Sequence, residues 1–286
     1  MIYNLGKLSS NTIEKIEKSF IYIAIFTFIG LTLFPLIWVF TTSLKPNDET
    51  MSFPPKLIPE HVTLENYAFV FTDSTIVKSL YNSLIVSFGS MILNVTICAL
   101  AGYALARFEF KAKRILFSLI LGLFMIPVVI NIIPLYSILA NLGLLNSLVS
   151  LILTFQILII PLNVILLKNY FETIPKELEE SALIDGCSRI GVLRRITIPL
   201  SMPGFAVASI FSFIFSWNEF VLPIVLANSP NSTLFQVALY QFISLYRIEW
   251  GYLAAGITIA LLPVIILIVA FQRQMIKGFT MGSIRG

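Results

Sequence analysis

Much of the usual equipment of an enzyme is missing from this sequence. His61 is its single histidine and lies outside every long apolar run, which excludes a histidine-ligated zinc site or a Ser–His pair within those runs. Aspartate occurs only at Asp48, Asp73 and Asp185, all in polar segments, so no aspartyl dyad sits in an apolar one. There is no Gly-x4-Gly-Lys-Ser/Thr phosphate loop, so the chain carries no nucleotide-hydrolysing motif of its own. The two cysteines, Cys98 in an apolar run and Cys187 in a polar one, indicate no disulfide framework. Charge is scarce as well. Only 12% of residues are charged, against about 25% in a soluble domain, while 57% are hydrophobic and the mean hydropathy is +0.91. No single soluble core buries that much apolar surface, so the bilayer is the solvent. The net charge of +4 is too small to suggest a nucleic-acid-binding face.

What is present is a series of uncharged runs. Residues 19–44 hold the first, too long for the apolar region of a cleavable signal, and so expected to be a retained span. Residues 79–106 hold the second. Residues 115–167 are uncharged over 53 positions, which as one helix would be about 80 Å long against a hydrocarbon core of about 30 Å. They must fold into two spans, with the turn at Asn141-Leu-Gly-Leu-Leu-Asn146. A fifth span is expected from near Gly204 to Leu226, interrupted by Glu219, and a sixth over residues 250–272. The expected fold is an all-α polytopic membrane protein of six transmembrane helices, because little else satisfies backbone polar groups in lipid. Residues 1–18 form an N-terminal segment, 19–272 the membrane domain and 273–286 a C-terminal tail.

Fifteen of the 19 basic residues collect at one set of span ends: Lys7, Lys15 and Lys18; Arg107, Lys111, Lys113 and Arg114; Lys168, Lys176, Arg189, Arg194 and Arg195; Arg273, Lys277 and Arg285. The other set holds only Lys45, Lys56, Lys78 and Arg247. The positive-inside rule makes both termini and the 168–203 connection cytoplasmic. Outside, residues 45–78 are expected to form an ordered cap, and residues 233–246 an interfacial or partly re-entrant helix.

The 168–203 connection is the most structured polar segment. Pro175 suits a first helical position, and Glu177, Glu179 and Glu180 complement the helix dipole. Gly186 can end that helix in the left-handed conformation, and Ser188 can cap a second. Ile190, Leu193 and Thr197 are expected on one face of the second helix, with Arg194 and Arg195 beside them and Pro199 and Pro203 stopping it. Two short angled helices with a small-residue patch (Ser181, Ala182, Gly186) read either as a solvated connector or as a docking element.

This segment resembles the coupling loop of bacterial ABC-importer permease subunits: Glu-Ala-Ala, three residues, Gly, nine residues, Ile-x-Leu-Pro. Glu180-Ser181-Ala182 stands for Glu-Ala-Ala, Asp185-Gly186 is in place, and Ile196 to Leu200 with Pro199 matches the close; Ser181 departs from the commonest Ala. Trp217-Asn-Glu-Phe220 and the tail Gln272 to Gly286 are similar to the carbohydrate-uptake branch, in particular to the maltose-type permease. The resemblance covers residues 20–286 and implies a type I importer permease. Glu180, Ser181, Ala182, Asp185, Gly186, Arg194 and Pro199 would then dock in a cleft of a cytosolic ATPase, and Lys277, Gly278 and Gly282 would reach toward the ATPase dimer. It further implies a second related permease, two ABC ATPases holding ATP and Mg, and an extracytoplasmic solute-binding protein. The chain itself would bind no cofactor and no metal. The setting would be a bacterial cytoplasmic membrane.

Glu219 is an ionisable group in or near a span, which is costly unless paired or hydrated. One reading puts Trp217, Asn218 and Glu219 on the translocation path, the indole stacking on a sugar ring; the other makes them structural, and the maltose-type resemblance implies that substrate contacts come largely from the other permease. Asn82, Asn94, Asn131 and Asn163 are expected to hydrogen-bond between helices. Pro35, Pro127, Pro161, Pro223 and Pro263 are candidate kinks. The sequence is therefore read as an ATP-driven importer's sugar permease. An ion-coupled secondary transporter remains the alternative, for which Glu219 is the only membrane acid available.

Overall fold

A computed structural model describes the backbone of residues 3–243 and 248–282, and the side chains of 14–243 and 248–274. Two units are formed, Met1–Val70 with Phe242–Ile259, and Phe71–Gln241 with Ala260–Gly286.

In the first unit, α1 (Tyr3–Ser43) is an apolar helix exposed at every position from 14 to 37. Such a surface is tolerable only against lipid or another subunit. The segment after it is ordered by polar ties: Asn66 Nδ2 donates to Ser43 O (2.9 Å) and Lys45 O (2.7 Å), and the Glu49 carboxylate accepts from Glu60 N at 2.7 Å. Asn66 belongs to α2 (Glu65–Thr72), on which Phe69 stacks against Tyr252 at 4.2 Å.

The second unit is built on α3 (Ser74–Arg107). Asp73 caps it, its Oδ1 accepting from Thr75 N and Ile76 N. Its buried face carries Ser79, Ser83, Ser87, Ser90 and Asn94, small polar residues at helical spacing that allow close helix approach. Next come α4 (Lys113–Phe124), a 3₁₀ turn (Val128–Asn131) and α5 (Ile132–Asn141). Here α4 and the Val128–Asn141 segment bend by 98° at Pro127, one of the candidate kinks. Pro127 lacks an N–H, and it sits in extended conformation at the break. The turn expected at 141–146 is present, with Gly143 and Asn146 in positive φ.

Ser147 then caps α6 (Leu148–Glu172), its Oγ accepting from Val149 N. A Cβ on Gly102 of α3 would lie 3.0 Å from the backbone nitrogen of Lys168, so α3 and α6 meet there without room for a side chain. Within α6, Asn163 Nδ2 lies 2.7 Å from Asn94 Oδ1, 2.8 Å from Ser212 Oγ and 3.1 Å from Ala208 O. These bonds tie α6 to α3 and to α10 (Met202–Asn218).

Beyond α10, α11 spans Val221–Leu226, α12 Phe235–Leu239 and α13 Trp250–Gly282. The 233–246 segment, expected as an interfacial or partly re-entrant helix, is helical over part of its length. Its described part is the short α12 and a 3₁₀ turn (Tyr240–Phe242), with Leu234, Phe235, Ala238 and Leu239 buried. Asn82 Nδ2 donates to Asn231 O and Thr233 O, and Phe235 N donates to Ser83 Oγ, so Asn82 anchors this segment rather than a neighbouring span. The rest, 244–247, lies outside the described residues. Among the described residues, four helices are long and apolar enough to cross a membrane, and up to six spans result if each of two bent pairs counts as one. The helix α13 continues past the expected end of the sixth span to Gly282.

Candidate functional site

The connection between α6 and α10 folds as a bent hook. Pro175 takes the cap position, one residue before α7 (Lys176–Ile184), rather than the first helical turn. Gly186 has φ +86°, and the helix closes with Cys187 N donating to Ala182 O (3.0 Å) and Gly186 N to Leu183 O (3.1 Å). That double bond pattern requires the left-handed residue a glycine provides. Ser188 caps α8 (Arg189–Val192), its Oγ accepting from Gly191 N.

The second helix ends before the next span, between Pro199 and Pro203, as expected. It widens into a π turn (Leu193–Thr197), continues as α9 (Ile198–Leu200), and bends by 81° into α10. Pro199 has no N–H, and its ring presses on the carbonyl four residues back, at Arg195, which a widened turn relieves. Val192, Leu193 and Thr197 are buried while Ile190 is 78% exposed, so Ile190 does not share a face with Leu193 and Thr197.

The hook is fixed to α3 by one buried carboxylate. Glu179 accepts from Arg107 Nε (2.9 Å), Tyr103 Oη (3.1 Å) and Thr197 Oγ1 (2.9 Å), and Arg107 Nη2 donates to Ile174 O (3.0 Å). The Arg107 and Glu179 side chains are 6% and 7% exposed. A single group therefore joins the end of α3, the first hook helix and the π turn of the second. Arg189 adds a contact, 5.1 Å over the Phe108 ring. Sequence reasoning grouped Glu179 with the dipole-facing acids and missed this role. The available signal was spacing: Glu179 precedes Ala182 by three, and Arg107 is the charge that closes an apolar run.

The hook's other side faces outward. Glu180, Ser181, Asp185, Gly186, Arg194 and Pro199 are exposed, and a Cβ on Gly186 would meet nothing within 4 Å. Ile184 is 85% exposed beside them, and Leu178 is exposed too. Ala182 alone of the named set turns inward and is buried. Next to the hook, the hydrogen bond and then the charge of Lys113 hold the exposed Glu109 carboxyl below the usual carboxylate range.

The second group of named residues sits on α10. Trp217 is buried, stacked on Phe213 at 5.6 Å, with its indole N–H donating to Ala260 O at 3.0 Å. Asn218 is exposed. Glu219 is half-buried at the α10–α11 break, and its Oε1 accepts from Val221 N and Leu222 N, capping α11. Lys277, Gly278 and Gly282 fall on the last turns of α13, and their side chains lie outside the described residues. Among the described residues, no three His, Cys, Asp or Glu side chains are grouped to hold a metal.

Residues 98–280 match the family of binding-protein-dependent transport system inner membrane components. The chain is 37% identical over 254 residues to the sulfoquinovosyl glycerol transport system permease protein SmoH of Agrobacterium fabrum, covering 89% of each. It is 33% identical to the trehalose transport system permease protein SugB of Mycobacterium tuberculosis, covering 90% of this chain and 94% of that one. The fold is shared with a chain of a bacterial ABC transporter involved in the import of the acidic polysaccharide alginate, with a TM-score of 0.80 and 22% identity over 91% of this chain and 96% of that chain.

Proposed function

Because the chain belongs to the family of binding-protein-dependent transport system inner membrane components, we propose that it is the membrane-spanning permease subunit of an ATP-binding-cassette importer for a sugar or sugar derivative. Sugar is supported by the names of its relatives, which carry sulfoquinovosyl glycerol, diacetylchitobiose and trehalose. Hydrolysis resides in a separate subunit, which holds ATP and Mg. The assembly comprises a second permease, two ATPases and an extracytoplasmic binding protein in the bacterial cytoplasmic membrane. Both termini and the hook are cytoplasmic, as the distribution of basic residues supports. The apolar α1, exposed at every position from 14 to 37, fits a chain that has a permease partner to pack against.

The observation that carries the mechanism is the two-sidedness of the hook. Its inner side is clamped to α3 through Glu179 and Arg107, while its outer side offers Glu180, Ser181, Ile184, Asp185 and Gly186 to a partner. Closure of the ATPase dimer moves the hook, and the clamp transmits that motion to α3 and the helices packed on it. ATP shifts the inward–outward equilibrium only by its differential affinity for the two states. The family membership favours this reading over ion coupling, and the one membrane acid that an ion-coupled carrier would use, Glu219, is engaged as a helix cap. Solubilising the native assembly and measuring its mass tests the proposal. Recovery with an ATPase and a second permease is expected; a monomer or a homo-oligomer with no ATPase contradicts it.

A further inference from the structure

Two grooves flank the α3–α4 junction, and their charge balance differs. One, of about 370 Å³, is lined by Arg107, Lys113 and Lys176 against Glu109, Glu172 and Glu177, so its cations are matched. The other, of about 320 Å³, is lined by Lys111, Lys113, Arg114 and Lys168 with Glu109 as its only acid, on a floor of Leu105, Phe110 and Phe117. Lys113 pairs with Glu109 at 2.7 Å, and Lys168 pairs with Glu172 at 2.8 Å while lying 5.2 Å over the Phe117 ring. That leaves Lys111 and Arg114 exposed, with no ion-pair partner among the described residues. Below this cationic mouth runs α4, which buries none of its residues and exposes Ile115, Leu116, Leu119 and Leu123.

We propose that this second groove binds an anionic phospholipid of the adjacent leaflet, with Lys111 and Arg114 holding the phosphate and the acyl chains lying along α4. A phosphate group is the shared chemistry of a lipid and a free anion, and the apolar floor continuing onto an unburied helix favours the lipid. Basic pockets at span ends recognise headgroups in this way, each cation contributing about a five-fold gain in affinity. The inference needs only that the chain spans a membrane and is independent of the ATP-driven reading.

The test uses the whole assembly, exchanged into vesicles of phosphatidylcholine with or without about one third phosphatidylglycerol, then analysed for retained lipid by native mass spectrometry. The wild type should retain phosphatidylglycerol in preference to phosphatidylcholine. Lys111→Gln with Arg114→Gln should reduce that retention about 25-fold. Raised salt should weaken retention in the wild type too, which keeps the test valid if the variant fails to insert. Equal retention of the two lipids, or displacement by millimolar inorganic phosphate, overturns the proposal. So does loss of a protein subunit in place of lipid, which would mark the groove as an interface between subunits.

Discussion

Replacing Glu179 by Gln removes the charge from the clamp while keeping its size. Arg107, only 6% exposed, then keeps a guanidinium with no carboxylate beside it, its hydrogen bonds reduced to neutral carbonyl acceptors. Breaking a buried pair from one side costs about 3–5 kcal/mol, because the surviving charge is left uncompensated. At about 1.4 kcal/mol per tenfold, the hook's docked state on α3 weakens roughly 100- to 4,000-fold. A Gln oxygen in the place of Oε1 still accepts from Thr197 and Arg107, although its NH2 cannot accept from Tyr103, which places the loss at the lower part of that range. The direct assay is hydrogen–deuterium exchange of the 176–200 amides, which should accelerate while exchange over α6 stays unchanged. Substrate-stimulated ATPase should fall in step. The paired variant Arg107→Met with Glu179→Met removes both charges, and an apolar pair of similar volume is often neutral in such sites. It should therefore recover most of the protection lost in either single variant. Unchanged exchange in Glu179→Gln, or additive losses in the paired variant, would refute the clamp.

Three further outcomes are expected. Gly186→Ala should cost about 1–2 kcal/mol through its left-handed backbone alone, since the added Cβ meets open space; Gly186→Trp should insert normally yet abolish coupled ATPase, measured by hydrolysis with and without substrate. Asn163→Leu should destabilise the solubilised protein by about 1–3 kcal/mol in thermal melts, because it strips the bonds to Asn94, Ser212 and Ala208, while the ratio of transport to hydrolysis stays the same. Glu219→Gln keeps the acceptor that caps α11 and should transport normally, whereas Glu219→Ala loses about 1 kcal/mol; equal loss of uptake in both variants would assign the carboxylate's charge to the path instead.

The sequence made the gross architecture readable because lipid imposes it. Uncharged run lengths located the spans, and Gly186 and Ser188 marked the bend of the hook through backbone rules that act locally. Other features depend on contacts distant in sequence. Glu179 looks like its neighbours Glu177 and Glu180 until Arg107 and Thr197 are placed against it. Ile190 and Leu193 are three apart on one helix, yet only Leu193 is buried, since what packs against the hook decides burial and the sequence does not show it. Of the candidate kinks, Pro127 bends its segment by 98° while Pro161 is absorbed within α6, and an uninterrupted apolar run does not tell the two apart. Trp217 was a candidate sugar platform by residue type, but its ring is stacked on Phe213 and its N–H engaged by Ala260.

The chain carries its own probe for the central claim, that an ATPase docks on the outer side of the hook. Cys187 follows Gly186 and is partly exposed, whereas Cys98 is buried. Maleimide labelling of the permease with and without its ATPase subunits should show Cys187 reactive alone and protected in the assembly, with Cys98 silent in both. Equal reactivity of Cys187 in the two preparations would contradict the account.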